Sequence, residues 1–171
     1  MSVELSQIVD GVVRAVLEKD NEHNRKNIAS NNLSKMTLAC ARDIIRAVQT
    51  KARDIGVNAV VCVSDGKGNP VAVECMDDAF LASFDIAVNK AYTVTALKMP
   101  TSALAELAKP GGSLYGIQHT NSGKIVIFGG GEFLCNDKGD IVGGLGVSGG
   151  SAEQDTMLGQ YGKKYFETGK Q

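Results

Sequence analysis

The spacing of apolar positions changes several times along the chain, and each change predicts an element. In residues 4–18, Leu5, Ile8, Val9, Val12, Val13, Val16 and Leu17 recur at helical steps, with Glu4, Gln7, Asp10, Arg14 and Glu18 on the other side. That pattern predicts a short amphipathic helix over residues 1–18. The stretch KDNEHNRKNIASNN that follows has almost nothing to bury, so residues 19–33 read as a polar linker. From residue 34 the helical period returns. Leu38, Ala41, Ile45, Val48, Ala52 and Ile55 make one core-facing stripe, and Gly56 is its natural stop.

The period then shortens to two. VNAVVCVS and VAVECM flank Asp65-Gly66-Lys67-Gly68-Asn69-Pro70, a strand–turn–strand unit. Residues 79–99 return to a helix with Phe84, Val88, Ala91 and Thr95 along one face. Pro100 interrupts it, Ser102 is placed to cap a short helix through Leu107, and Lys109-Pro110-Gly111-Gly112 ends that. A second hairpin is predicted from KIVIF, the Gly129-Gly130-Gly131 interruption, EFLCN, a turn at Asp137–Asp140, and IVGGLGVS. Ser151 and Gln154 form a capping-box pair that opens the last helix. The order α-ββ-αα-ββ-α over residues 34–171 predicts an α+β domain, an antiparallel β-sheet with helices packed on its faces.

Totals narrow the class. At 171 residues the chain is sized for one domain with a short appendage. Its net charge is −1, and its Lys and Arg are dispersed with no basic stripe, so no nucleic-acid partner is expected. The opening MSVELSQIVD carries an acid where a signal peptide needs bases, and no long apolar run follows. A cytoplasmic protein without membrane attachment is expected. Cys40, Cys62, Cys75 and Cys135 lie far apart with no paired Cys/His spacing, so no zinc site is expected and four reduced, mostly buried thiols are.

The glycines carry more information. Gly144, Gly146 and Gly149 in GGLGVSGG spell G-x-G-x-x-G, the spacing of a dinucleotide cradle. A dinucleotide fold also needs a further parallel strand bearing a ribose-binding acid, and after Gly149 only the last helix fits. Glu167 has the offset but sits in that helix, so no nucleotide cofactor is expected. Two explanations remain for the glycines. One is strand bending with tight packing between subunits. The other is close approach by a second backbone or a ligand, with Gly149 and Gly150 presenting amides at a helix N-terminus to a carboxylate or phosphate.

SDGKGNPVAVECMDDA, DIAVNKAYTVTALKM, KIVIFGGGEF and DIVGGLGVSGGSAEQD together resemble the GlcG/HbpS family of small haem-binding, haem-degrading proteins, whose domain also forms the C-terminal part of PduO-type proteins. The resemblance covers roughly residues 34–168. It implies a profilin-like or PAS-like outline, assembly into homo-oligomers, and haem or a related tetrapyrrole or small ligand, held in some members in a groove shared between subunits. Many relatives carry a proline shortly after the glycine-rich strand, where this chain has Glu132-Phe133. The N-terminal VELSQIVDGVVRAVLEKD has its own resemblance, to short peptides that lead enzymes into bacterial microcompartments. Residues 3–18 are accordingly a candidate contact for a shell or enzyme partner in a microcompartment lumen, or for the chain's own domain.

Candidate ligand-binding residues are Lys90 and Thr101, as contacts for propionates or a small acid, with Gly129, Gly130, Gly149 and Gly150. Lys90 equally fits an exposed helix position, and Thr101 a cap. His119, in a polar loop, and His23, in the linker, are the candidate iron ligands, and each more readily reads as a solvated surface histidine. Tyr92 and Met99 are expected in the core, and the helix dipole alone accounts for Asp155. Three functions stay open: a haem- or tetrapyrrole-binding accessory protein of glycolate, diol or glycerol metabolism; an enzyme that degrades haem or acts on a small hydroxy acid or aldehyde; and a non-catalytic assembly protein.

Overall fold

The computed structural model describes residues 34–169; the predicted N-terminal helix, the linker and His23 lie outside them. Helix α1, Leu38–Asp54, starts at Thr37, whose hydroxyl accepts the Cys40 N–H at 3.2 Å, and buries Ala41, Ile44, Ile45, Val48 and Ala52. A hairpin of β1, Val60–Asp65, and β2, Pro70–Cys75, follows. Its turn is built on Asp65, whose Oδ1 accepts the N–H groups of Lys67 and Asn69 at 2.8 and 2.9 Å. Helix α2 is Ser83–Leu97 and α3 is Thr101–Ala108. Two short 3₁₀ turns, Ile117–His119 and Asn121–Gly123, lead to β3, Gly131–Cys135, and β4, Ile141–Ser148. Helix α4, Ala152–Thr168, begins with the expected capping box of Ser151 and Gln154.

The strands form one antiparallel sheet in the order β2-β1-β4-β3. Because successive side chains point to opposite faces, β1 divides its apolar residues between two layers. Val61 and Val63, with Leu145, Val147 and Leu134, join α1 and α4 in the main core. Val60 and Cys62 meet Ala87 and Ala91 of α2 on the other face. The architecture is therefore α+β in three layers, with α2 on one face and α1 with α4 on the opposite one.

Where α2 crosses β4, the strand presents Gly144 and Gly146. A Cβ on Gly146 would fall on the Ala87 carbonyl oxygen, and one on Gly144 on the Ala91 carbonyl oxygen. Helix backbone rests directly on strand backbone, which any larger residue on the strand would prevent. The G-x-G-x-x-G spacing thus accommodates a helix of the same chain, within an antiparallel strand.

Three sequence expectations need correction. KIVIF is not a strand: Ile125 and Val126 are buried, but the Val126 N–H donates to Thr93 Oγ1 at 3.0 Å on α2 rather than to a neighbouring strand. Alternation reports burial, and here the partner is a helix side chain. The buried face of α2 runs through Ser83, Ala87, Lys90, Ala91 and Val94, so Phe84 is half exposed instead of facing the core. Glycine on β4 selects small residues on α2, and the large Phe84 rotates away. Finally, Thr101 rather than Ser102 sits at the start of α3, and its hydroxyl accepts the Gly131 N–H at 2.8 Å. Tyr92 and Met99 are half-buried.

All four cysteines are free. Cys40 and Cys62 are buried and their thiols are pushed up to about 12 by desolvation, with Asp43 adding to the effect at Cys40. Cys75 is exposed and Cys135 half-buried, so only half the thiols are enclosed as expected. No helix among the described residues is long and apolar enough to cross a membrane.

Candidate functional site

The C-terminal end of β4, the start of α4 and the start of α2 meet around an open cleft of about 250 Å³. Phe80, Ile86 and Phe128 wall it, Gly149 and Gly150 line its floor, and Ala82, Ser83, Ser148, Ala152 and Asp155 complete the lining. Phe80 is 70% exposed and Phe128 41%, with Leu81 at 97% and Phe84 at 51% on the neighbouring turn and helix start. Four large apolar side chains left in water within one short region mark a surface that meets something.

Directly beneath lies an ion pair. Lys90 is fully buried, and its Nζ donates to Asp155 Oδ2 at 2.8 Å and to the Val147 carbonyl at 2.7 Å. Its ammonium also stands 4.8 Å from the Phe128 ring centre, a cation–π contact with the cleft wall. The second Asp155 oxygen, Oδ1, accepts the Gly150 N–H at 2.9 Å. Gly130, at φ 113°, passes so close that a Cβ there would meet Lys90 Nζ, the Val147 carbonyl and Asp155. One lysine thereby ties α2, β4, the glycine loop and the first turn of α4 together. Burial holds its ammonium below the ordinary lysine range, while Asp155 pulls the other way.

The sequence-predicted residues are thus partly gathered. Lys90, Gly130, Gly149 and Gly150 converge here, whereas Gly129 packs on Thr156 and Thr101 serves Gly131. Lys90 is not the exposed residue its helix position allowed, and Asp155 serves more than the helix dipole, since it is the buried counter-ion. His119 is exposed, approaches the side chain of Gln118, and does not line the cleft. Among the described residues, no three His, Cys, Asp or Glu side chains cluster as metal ligands do. Sequence reading missed Phe80, Ile86 and Phe128. For Phe80 the available signal was AFLASF, which places three large apolar residues where a helix stripe needs fewer; Ile86 and Phe128 lie outside it.

A tetrapyrrole finds part of what it needs in this cleft: aromatic and aliphatic walls for a ring face and a floor without side chains. Among the described residues lining it there is no imidazole, thiol or thioether to bind iron.

The model of the haem degrading protein HbpS-like family matches residues 36–163, and the chain belongs to that family. An uncharacterized 15.0 kDa protein in the dhaT-dhaS intergenic region of Citrobacter freundii is 45% identical over 132 residues, covering 77% of this chain and 92% of that protein. Corrinoid adenosyltransferase PduO of Salmonella typhimurium is 41% identical over 117 residues, covering 68% of this chain and 34% of PduO. The chain therefore spans about a third of that relative. A crystal structure of a PduOC:heme complex superposes with a TM-score of 0.72 at 37% identity, covering 76% of this chain and 94% of that one.

Proposed function

We propose that this protein is a haem- or tetrapyrrole-binding accessory protein. The observation that carries the reading is the cleft walled by Phe80, Ile86 and Phe128 over Gly149 and Gly150, in a chain similar to one solved with haem. These residues would hold a face of the ring, and bound haem would supply redox-active iron there. Burying large apolar side chains favours association by about 1.5–3 kcal/mol each, so the exposed rings supply the affinity. Titration with hemin is expected to give a saturable, red-shifted Soret band; a linear, unsaturated rise would refute the reading. Iron ligation by His119 or His23 predicts a changed spectrum in His119→Ala or His23→Ala, and a spectrum unmoved by both assigns the iron to another group.

The similarity to PduO and to a protein from a dhaT-dhaS region supports a place in diol or glycerol metabolism. Assembly into a homo-oligomer and recruitment to a microcompartment through residues 3–18 belong to the same proposal. A fluorescent reporter carrying residues 1–20 is expected to form puncta in microcompartment-forming cells, and diffuse signal would dispose of the targeting role.

A further inference from the structure

We propose, building on the haem reading above, that the cleft takes the methyl- and vinyl-bearing edge of the macrocycle and leaves its carboxylates in solvent. A glycine-rich turn entering a helix suggests the opposite, an anion seated on free amides. Here three of those amides are already engaged. The Gly150 N–H donates to Asp155 Oδ1, the Ser151 N–H to Gln154 Oε1 at 2.9 Å, and the Gln154 N–H to Ser151 Oγ at 3.3 Å. The Ser151 hydroxyl is turned to Glu153 Oε2 at 2.8 Å. Two carboxylates, Glu153 and Asp155, thus occupy the first turn and already offset the helix dipole. The cation beneath, Lys90, is fully buried and bound to Asp155 and Val147.

An incoming carboxylate therefore meets the like charge of Glu153 and Asp155, and it reaches the Lys90 cation only by displacing that lysine's buried bonds to Asp155 and Val147, which are costly to break. An apolar edge meets Phe80, Ile86 and Phe128 instead. Size points the same way: about 250 Å³ falls below the roughly 300–1,000 Å³ of sites that enclose a whole small molecule. The cleft admits an edge of the ring, and the opposite edge stays outside.

The test titrates the full chain with hemin and with iron etioporphyrin, which lacks carboxylates, following the Soret band. Dissociation constants within about threefold of one another are expected. Binding of the carboxylate-free ring at least tenfold weaker than that of hemin overturns the orientation while leaving the haem reading intact. Absence of saturable change with either porphyrin removes both. Ala82→Trp, at an exposed position on the cleft lining, is expected to weaken both porphyrins at least tenfold, and an unchanged affinity would show that the cleft is not the site. Glu153→Gln is expected to leave both constants unchanged. Selective tightening of hemin would show a carboxylate at the α4 terminus and sink the proposal.

Discussion

Two acid–lysine pairs draw on helix α4, through Asp155 and Lys163, and they are built differently. Lys90 and Asp155 are 0% and 4% exposed at their side chains, touch at 2.8 Å, and spend their remaining bonds on the Val147 carbonyl and the Gly150 amide. Glu132 and Lys163 are 6% and 24% exposed and stand 3.6 Å apart, with Lys163 also lying over the Phe133 ring at 4.2 Å. The first pair is enclosed and joined to four segments; the second leaves about a quarter of its lysine side chain in water. Buried charge persists where its bonding is complete, and the looser pair is an inward-turned acid on the edge strand β3. Such acids discourage sheet edges from pairing with other chains.

The largest expected effect tests the enclosed pair. Lys90→Met leaves Asp155 buried without its cation and is expected to cost about 3–5 kcal/mol, measured by urea unfolding followed by circular dichroism. A loss under about 1 kcal/mol would erase the contrast between the pairs.

A smaller effect distinguishes them by pH. Burial raises the Glu132 carboxyl above its ordinary value, with Lys163 opposing and Glu167 adding. Between 4.5 and that raised value the folded chain holds the extra proton, so this group makes stability fall as pH rises. For Lys90 the sign reverses: between its lowered value and 10.5 the unfolded chain holds the extra proton, and stability rises with pH. Glu132→Gln is therefore expected to match or exceed the wild type at pH 7.5, within about 1 kcal/mol, and to lose that advantage as pH falls toward 4.5. A Gln variant that is less stable at pH 7.5, with the deficit shrinking in acid, would show that Lys163 dominates instead.

Most of the architecture was legible because apolar spacing records burial. The α-ββ-αα-ββ-α order, the Ser151–Gln154 capping box and the hairpin turns are present as read. Burial does not record the partner, which is why KIVIF looked like a strand although Thr93 of α2 satisfies it. The same limit applied at the cleft. Gly149 and Gly150 announced themselves by composition, but the role of Asp155 depends on Lys90, 65 positions earlier. Phe80 and Phe128 are brought together only by the packing of α2 on the sheet, and no local pattern links them.

That packing has a consequence for how the family varies. Since α2 lies on the main chain of Gly144 and Gly146, its height above the sheet is fixed by atomic radii and not by the choice of side chains. A chain that keeps those two residues inherits the same separation between layers, and with it the placement of the cleft mouth. The rings around that mouth are then free to change without rebuilding the scaffold.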